Sequence, residues 1–324
     1  MADGKWVPDL SAATPLPAAA RRALEVRLRA VEAALPPAAE QAAADPEHVH
    51  QLRVATRRCR AALDLFADLL PARLARRLRR ALRRLRRMAG AARDWDVFLD
   101  ALAGPLRKPP AAQAAGLHWL AGQALARRLA AQAELSAYGP ADYQKLHDLA
   151  EDVLRAAGKA RPDPGTPQTL GDAARRHLPR LLDDLEEAAR GDLRDYEHLH
   201  QVRIRGKHLR YAMELFSDCF APAFRDDLYP RVEELQDILG RANDCHVGAQ
   251  RVAAMRDEAQ AYRPALWPLW RAGVEALRRT LRRQLATQRR RFLRWWDRWQ
   301  ADGVRERFIQ LVASPAALAA AEEE

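Results

Sequence analysis

Apolar residues recur at spacings of three and four along nearly the whole chain, in segments rich in Ala, Leu and Arg, while β-branched runs and strict alternation are missing. That periodicity predicts an all-α fold. Pro and Gly punctuate it at Pro36-Pro37, Pro71, Gly90, Gly104-Pro105, Pro109-Pro110, Gly139-Pro140, Pro222, Gly240 and Pro264, and helices of roughly three to seven turns are expected between those marks. The most loop-like stretch is RPDPGTPQT at 161–169.

The pattern is also written twice. EHVHQLRVATRRCRAALDLF at 47–66 and EHLHQVRIRGKHLRYAMELF at 197–216 align at an offset of 150 with nine of twenty positions identical. At the same offset Leu78, Leu85, Gly90, Ala92, Asp94 and Val97 face Leu228, Leu235, Gly240, Ala242, Asp244 and Val247, and residues 19–34 match those from 173 at an offset of 154. Self-similarity on this scale divides the chain into a tail 1–16, a first helical bundle 17–163, a second 164–312 and a tail 313–324. Each copy reads as a helix, a signature helix, a return helix and one or two more, packed antiparallel as a four-helix-type bundle. Gly90 and Gly240 read as C-caps of the return helices, with Asp94 and Asp244 capping the helices that follow.

Charge changes this picture. The net charge is +11, with 54 basic residues of which only five are lysine. Such an arginine vocabulary reflects gene base composition in part, and it also suits bidentate recognition of phosphate. Cys59, Cys219 and Cys245 are few and scattered and read as reduced, packed thiols; no CxxC, HExxH or His/Cys ladder suggests a metal site, and no cofactor motif is present. No run of eighteen apolar residues and no basic-then-apolar leader occurs, so a soluble, cytoplasmic protein without a membrane partner is expected.

On a helical projection Leu52, Ala55, Cys59, Ala62, Leu63 and Phe66 share one face, and His50, Arg53, Arg57 and Arg60 form a separate stripe. The second copy repeats the core with Val202, Leu209, Ala212, Met213 and Phe216, and the stripe with His200, Arg203, Lys207 and Arg210. Each stripe rises roughly 15 Å with about one cationic group per turn. Arg57 follows Arg53, and Lys207 follows Arg203, at a spacing where like charges destabilise a helix unless a ligand neutralises them. Only the last arginine of each stripe has an acidic neighbour, Asp64 or Glu214. The first return helix carries nine arginines between Arg73 and Arg87, where its counterpart is acidic; those nearest the signature helix, Arg80 and Arg84, are ligand candidates and the rest an electrostatic attractor. Arg93 and Arg241, near the glycines, are candidates too. His48 and His198 are expected toward the core, His208 stands off the stripe, and the Arg-rich segment from Arg282 to Arg294 reads as a solvated helix.

HQLRVATRRCRAALDLF with GAARDWDV, then LHQVRIRGKHLRYAMELF with LGRANDCHV, resembles the CHAD domain, the conserved histidine α-helical domain family. From about residue 17 to about 310 the resemblance implies two pseudo-symmetric four-helix bundles with a basic cleft or channel between them, and binding of inorganic polyphosphate, often at granules. His50, Arg53, Arg57, Arg58, Arg60, His200, Arg203, Lys207, Arg210 and Tyr211 stand on motif positions. Cys59 departs from the usual leucine, His208 from a second basic residue, and the first return helix is unusually arginine-dense.

The leading expectation is a non-catalytic polyphosphate-binding module, with granule proteins as further partners. Nonspecific nucleic-acid binding is the alternative, which the shortage of aromatic residues beside the stripes disfavours. A polyphosphate-processing phosphohydrolase ranks third, because neither a Walker A loop nor an acidic cluster accompanies the stripes.

Overall fold

The computed structural model describes residues 5–314; the outer parts of the two expected tails, 1–4 and 315–324, lie outside them. Ten α-helices and no strand occur among the described residues. The first five are α1 (Leu16–Glu40), α2 (Glu47–Leu65), α3 (Ala72–Arg107), α4 (Ala111–Ser136) and α5 (Pro140–Gly158). The second five are α6 (Leu170–Ala189), α7 (Tyr196–Phe216), α8 (Tyr229–Tyr262), α9 (Trp267–Ala301) and α10 (Val304–Ala313). Short 3-10 turns follow α2 at Ala67–Leu69 and α7 at Ser217–Cys219, again 150 residues apart, and one π turn, Phe224–Leu228, leads into α8.

Several expected breaks are not breaks. Helix α1 continues through Pro36 and Pro37, α3 passes Gly90, Gly104 and Pro105, and α8 passes Gly240. Gly90 and Gly240 therefore do not cap helices, neither has a positive φ, and Asp94 and Asp244 lie in helix interiors. Gly90 is small for another reason: a Cβ there would come within 2.9 Å of the Arg53 guanidinium, which crosses α3 at that point.

Burial follows the helical period. The principal apolar cluster includes Leu24 and Val31 of α1, Leu52 and Cys59 of α2, Leu78 and Leu85 of α3, Leu178 and Leu182 of α6, Val202 and Leu209 of α7, and Val232 and Leu235 of α8. It is closed at one side by Phe292, Trp295 and Trp299 of α9. A second cluster joins the far halves of four helices, with Phe98 and Leu102 of α3, Leu117 and Leu120 of α4, Val252 and Met255 of α8, and Val274 and Leu277 of α9. There α4 and α9 cross with unusually little separation. A Cβ on Gly116 would lie 2.1 Å from the Trp270 carbonyl oxygen, and one on Gly273 would lie 2.3 Å from that of Gln113. Only a pair of glycines permits that approach, and Trp119 stacks on Trp270 beside it at 4.7 Å.

The starts of α1 and α6 are tied together. Pro15 and Thr169, at the offset of 154 read from the sequence, form an isolated antiparallel bridge, with Leu16 N donating to Gln168 O at 2.8 Å and Leu170 N to Thr14 O at 2.9 Å. Thr169 also closes a capping box with Asp172. Thr169→Ala should cost about 1 kcal/mol in a urea titration, the usual loss when an N-cap oxygen is removed; an unchanged midpoint would show that water serves the freed N–H groups equally well.

Candidate functional site

Helices α2 and α7 pack on each other, and α3 and α8 flank them, so the two cationic stripes open into one cleft of about 890 Å³. Nine arginine or lysine side chains and three aspartates line it, with Leu281 and Gln284 of α9 at one edge. Most of the lining comes as pairs at the offset of 150: Arg53 with Arg203, Arg57 with Lys207, Arg86 with Gln236, Arg87 with Asp237, Arg93 with Asn243, Asp94 with Asp244 and Ala101 with Arg251. The first-half wall is the more cationic of the two.

Arg57, Arg203 and Lys207 sit together at the centre, and none has a carboxylate at ion-pair distance among the described residues. The Nε atoms of Arg57 and Arg203 are buried without a hydrogen-bond partner. Burial, and then the charges of Arg203, Arg57, Arg53 and Arg210, push the Lys207 ammonium down to about 6. Burial is also the main reason that Arg57 and Arg203 hold their protons less tightly than a free guanidinium; Asp244 pulls Arg203 the other way, and each is repelled by a cationic neighbour in the cluster. His50 is held below its ordinary value by burial and by Arg93, Arg57 and Arg53, against the pull of Glu47. Crowded same-sign charge with too little counter-charge is costly in a free protein, and a bound anion removes that cost.

Asp94 tethers one rim. Arg53 Nη1 donates to its Oδ1 at 3.1 Å, Arg251 Nη2 reaches Oδ2 at 3.3 Å, and Arg251 Nη1 bonds the Asp94 carbonyl while its guanidinium lies 4.5 Å over Trp95. This carboxylate thus fixes two cations, one from each half of the chain. Behind the stripes, Glu214 is wholly buried and accepts from Arg58 Nε at 2.7 Å and from the Tyr229 hydroxyl at 2.8 Å, with Arg210 Nε 3.5 Å away.

A family model described as CHAD domain matches residues 22–253. The chain belongs to the CHAD domain family. It is similar to the crystal structure of the CHAD domain from the plant Ricinus communis, at 27% identity and a TM-score of 0.67, over 87% of this chain and 91% of that one. It also shares its fold with PptA from Streptomyces chartreusis, at 20% identity and a TM-score of 0.64, over 88% of this chain and all of the other. Comparison with curated proteins gave no match. Polyphosphate binding is a known property of CHAD domains, so the function of this chain is polyphosphate-related.

Of the residues singled out by the CHAD motif and the stripes, His50, Arg53, Arg57, Arg93, Arg203, Lys207, Arg210 and Tyr211 line the cleft. The others do not. Arg58 is committed to Glu214, and Arg60 pairs outward with Asp64 at 2.8 Å, which also holds Arg79 at 2.9 Å. Arg80, His208 and Arg241 are exposed away from the cleft, and Arg84 lies over the Tyr138 ring near Asp142. His200 lies just outside, beside Tyr196, with its Nδ1 buried and unpartnered. His48 is half-buried and His198 exposed, so neither is the core histidine that the helical projection suggested. The Arg-rich part of α9 keeps Arg282, Arg283 and Arg294 in solvent, as expected of a solvated face. Sequence reasoning missed Arg86, Arg251, Gln236, Asn243 and Gln284 as wall residues. For Arg86 and Gln236, as for Ala101 and Arg251, the signal was the shared offset, hidden because the paired positions differ in chemical type.

No helix among the described residues is long and apolar enough to cross a membrane. Cys59 and Cys219 are free, buried thiols, which burial pushes up to about 12, out of the reactive range.

Proposed function

We propose that the chain binds inorganic polyphosphate without chemical turnover, laying the polyanion in the cleft against Arg53, Arg57, Arg93, Arg203, Lys207 and Arg210. The observation that carries this reading is the half-buried Arg57, Arg203 and Lys207 cluster, whose two arginine Nε atoms are buried without a partner and which has no carboxylate at ion-pair distance among the described residues. Guanidinium forks match phosphate oxygens two at a time, and repeated along both stripes they suit a linear anion with a charge at every repeat. Asp94 is already committed to two arginines and is not free to act as a base. On this reading the two copies of the signature helix act as opposed halves of one site, and the protein works in the cytoplasm at polyphosphate granules among granule proteins.

Nucleic acid is the competing polyanion, and the cleft offers it little beyond charge. Tyr211 and Phe98 are the aromatic residues in the lining, and both are buried, so bases find no platform for stacking. Competition between long-chain polyphosphate and single-stranded RNA at physiological salt tests the proposal. Wild type should prefer polyphosphate by at least about tenfold, or 1.4 kcal/mol, and a folded variant with Arg53, Arg57, Arg203 and Lys207 changed to Ala should lose that preference. Equal binding of both anions, unchanged in the variant, would reduce the cleft to solvated surface.

A further inference from the structure

The outer face of α3 carries charge that the cleft does not use. Arg73, Arg76, Arg77, Arg80 and Arg83 are all exposed, and none has an ion-pair partner among the described residues. Their spacings of three and four place them on one face, opposite the buried seam of Leu78, Leu82 and Leu85. Arg87 ends that stripe and also lines the cleft, so the cationic surface is continuous from the cleft to the N-terminus of α3, roughly 21 Å along the helix axis. Acidic groups scarcely interrupt it. Asp142 stands 3.7 Å from Arg84 and Glu134 3.6 Å from Arg87, both as exposed pairs that a polyanion displaces at little cost. The equivalent stretch of the second half, with Asp226, Asp227, Glu233 and Glu234, is acidic, so the extension exists on one side only.

We infer that the α3 arginine stripe is a second polyphosphate-binding surface, over which a chain too long for the cleft continues past Arg87, making the protein selective for long chains and giving the bound chain a preferred exit. This rests on the reading of the cleft as a polyphosphate site. The like charges at adjacent turns repel one another in the free protein, and a linear anion laid along them relieves all of those repulsions together. A second contact on the same chain also raises affinity through effective concentration, an advantage that a short ligand cannot collect.

The test compares tripolyphosphate with long-chain polyphosphate, across a salt series, for wild type and for a variant carrying Arg73→Gln, Arg76→Gln, Arg80→Gln and Arg83→Gln. These side chains lie in solvent, and circular dichroism checks that the variant keeps its helix content. The variant should bind tripolyphosphate as wild type does and lose about tenfold for the long chain, with its log–log salt slope smaller by about three, as for a single-stranded polyanion that loses four charge contacts. An unchanged long-chain affinity and slope would overturn the inference, as would an equal loss for tripolyphosphate, which marks a diffuse field rather than a track. Loss of duplex DNA binding with long-chain polyphosphate binding intact would give the stripe to nucleic acid instead. Failure of wild type to bind either phosphate would sink the cleft proposal itself, an outcome separate from these.

Discussion

Changing Arg57 and Lys207 together to Met is expected to abolish most polyphosphate binding and, in the same protein, to raise the melting temperature of the free form. Both effects come from one arrangement. Arg57 is cationic, half-buried beside Arg203 and without a carboxylate partner, and Lys207 beside them is held neutral above about pH 6 until a ligand restores its charge, so the fold carries a cluster that only a ligand completes. Charge-assisted hydrogen bonds contribute about 1.5–3 kcal/mol each, so losing two weakens binding by about 10²- to 10⁴-fold. Methionine keeps the volume of both side chains, removes the unpartnered charge of Arg57 and the desolvated amine of Lys207, and should stabilise the free protein by about 1–3 kcal/mol. For a chain of this size that is a rise of roughly 1.5–4 °C in a thermal melt. Titration calorimetry and a melt on the same sample read both. A variant that binds normally, or one that loses binding because it melts early, would contradict the arrangement; the second result would mean that the Arg57 and Lys207 stems carry packing that methionine does not replace.

Affinity for polyphosphate should fall steeply as pH rises above about 6. Lys207 sits near 6 in the free cleft, against about 10.4 for an unperturbed lysine, so at pH 7 to 8 it is mostly neutral before ligand arrives. A polyanion beside it restores the charged form, so binding takes up about one proton above pH 6, and the affinity then drops by up to about tenfold per pH unit, or about 100-fold between pH 6.5 and 8.5. His50 and His200, both held below their ordinary values mainly by burial, act in the same direction at lower pH. Stability runs the other way. Unfolded chain keeps the Lys207 proton up to about pH 10 while the folded state releases it near 6, so the unfolded state binds more protons in between and this group makes the free protein more stable as pH rises through that window. Lys207→Arg keeps its charge throughout and should flatten the binding profile. Dissociation constants across pH at fixed ionic strength decide the matter, and a flat wild-type profile would mean that Lys207 is charged in the free cleft.

The cleft floor was legible because helical period decides which residues share a face: one projection placed Arg53 with Arg57, and Arg203 with Lys207, before any tertiary contact was known. The ends of the stripes were not. Arg60 and Arg210 occupy the same motif position, yet Arg60 turns out to Asp64 while Arg210 turns in beside the buried Glu214, a choice made by Arg79 in one half and Tyr229 in the other. Helix lengths were misread for a related reason. Glycine is a poor helix former by about 1 kcal/mol, but Gly90 makes room for Arg53, and the packing of α3 outweighs the local preference.

The bridge between Pro15 and Thr169 sets an order on synthesis. The backbone groups of Leu16 and Thr14 that open the first helix find their partners in Gln168 and Leu170, more than 150 residues downstream. At translation rates of about 5–20 residues per second, those groups wait roughly 8 to 30 seconds in water before their partners leave the ribosome. The opening of α1 is therefore among the first segments made yet is closed only when about half of the chain has been synthesised, and the nascent first half has to stay soluble with that seam open until the start of the second half arrives to close it.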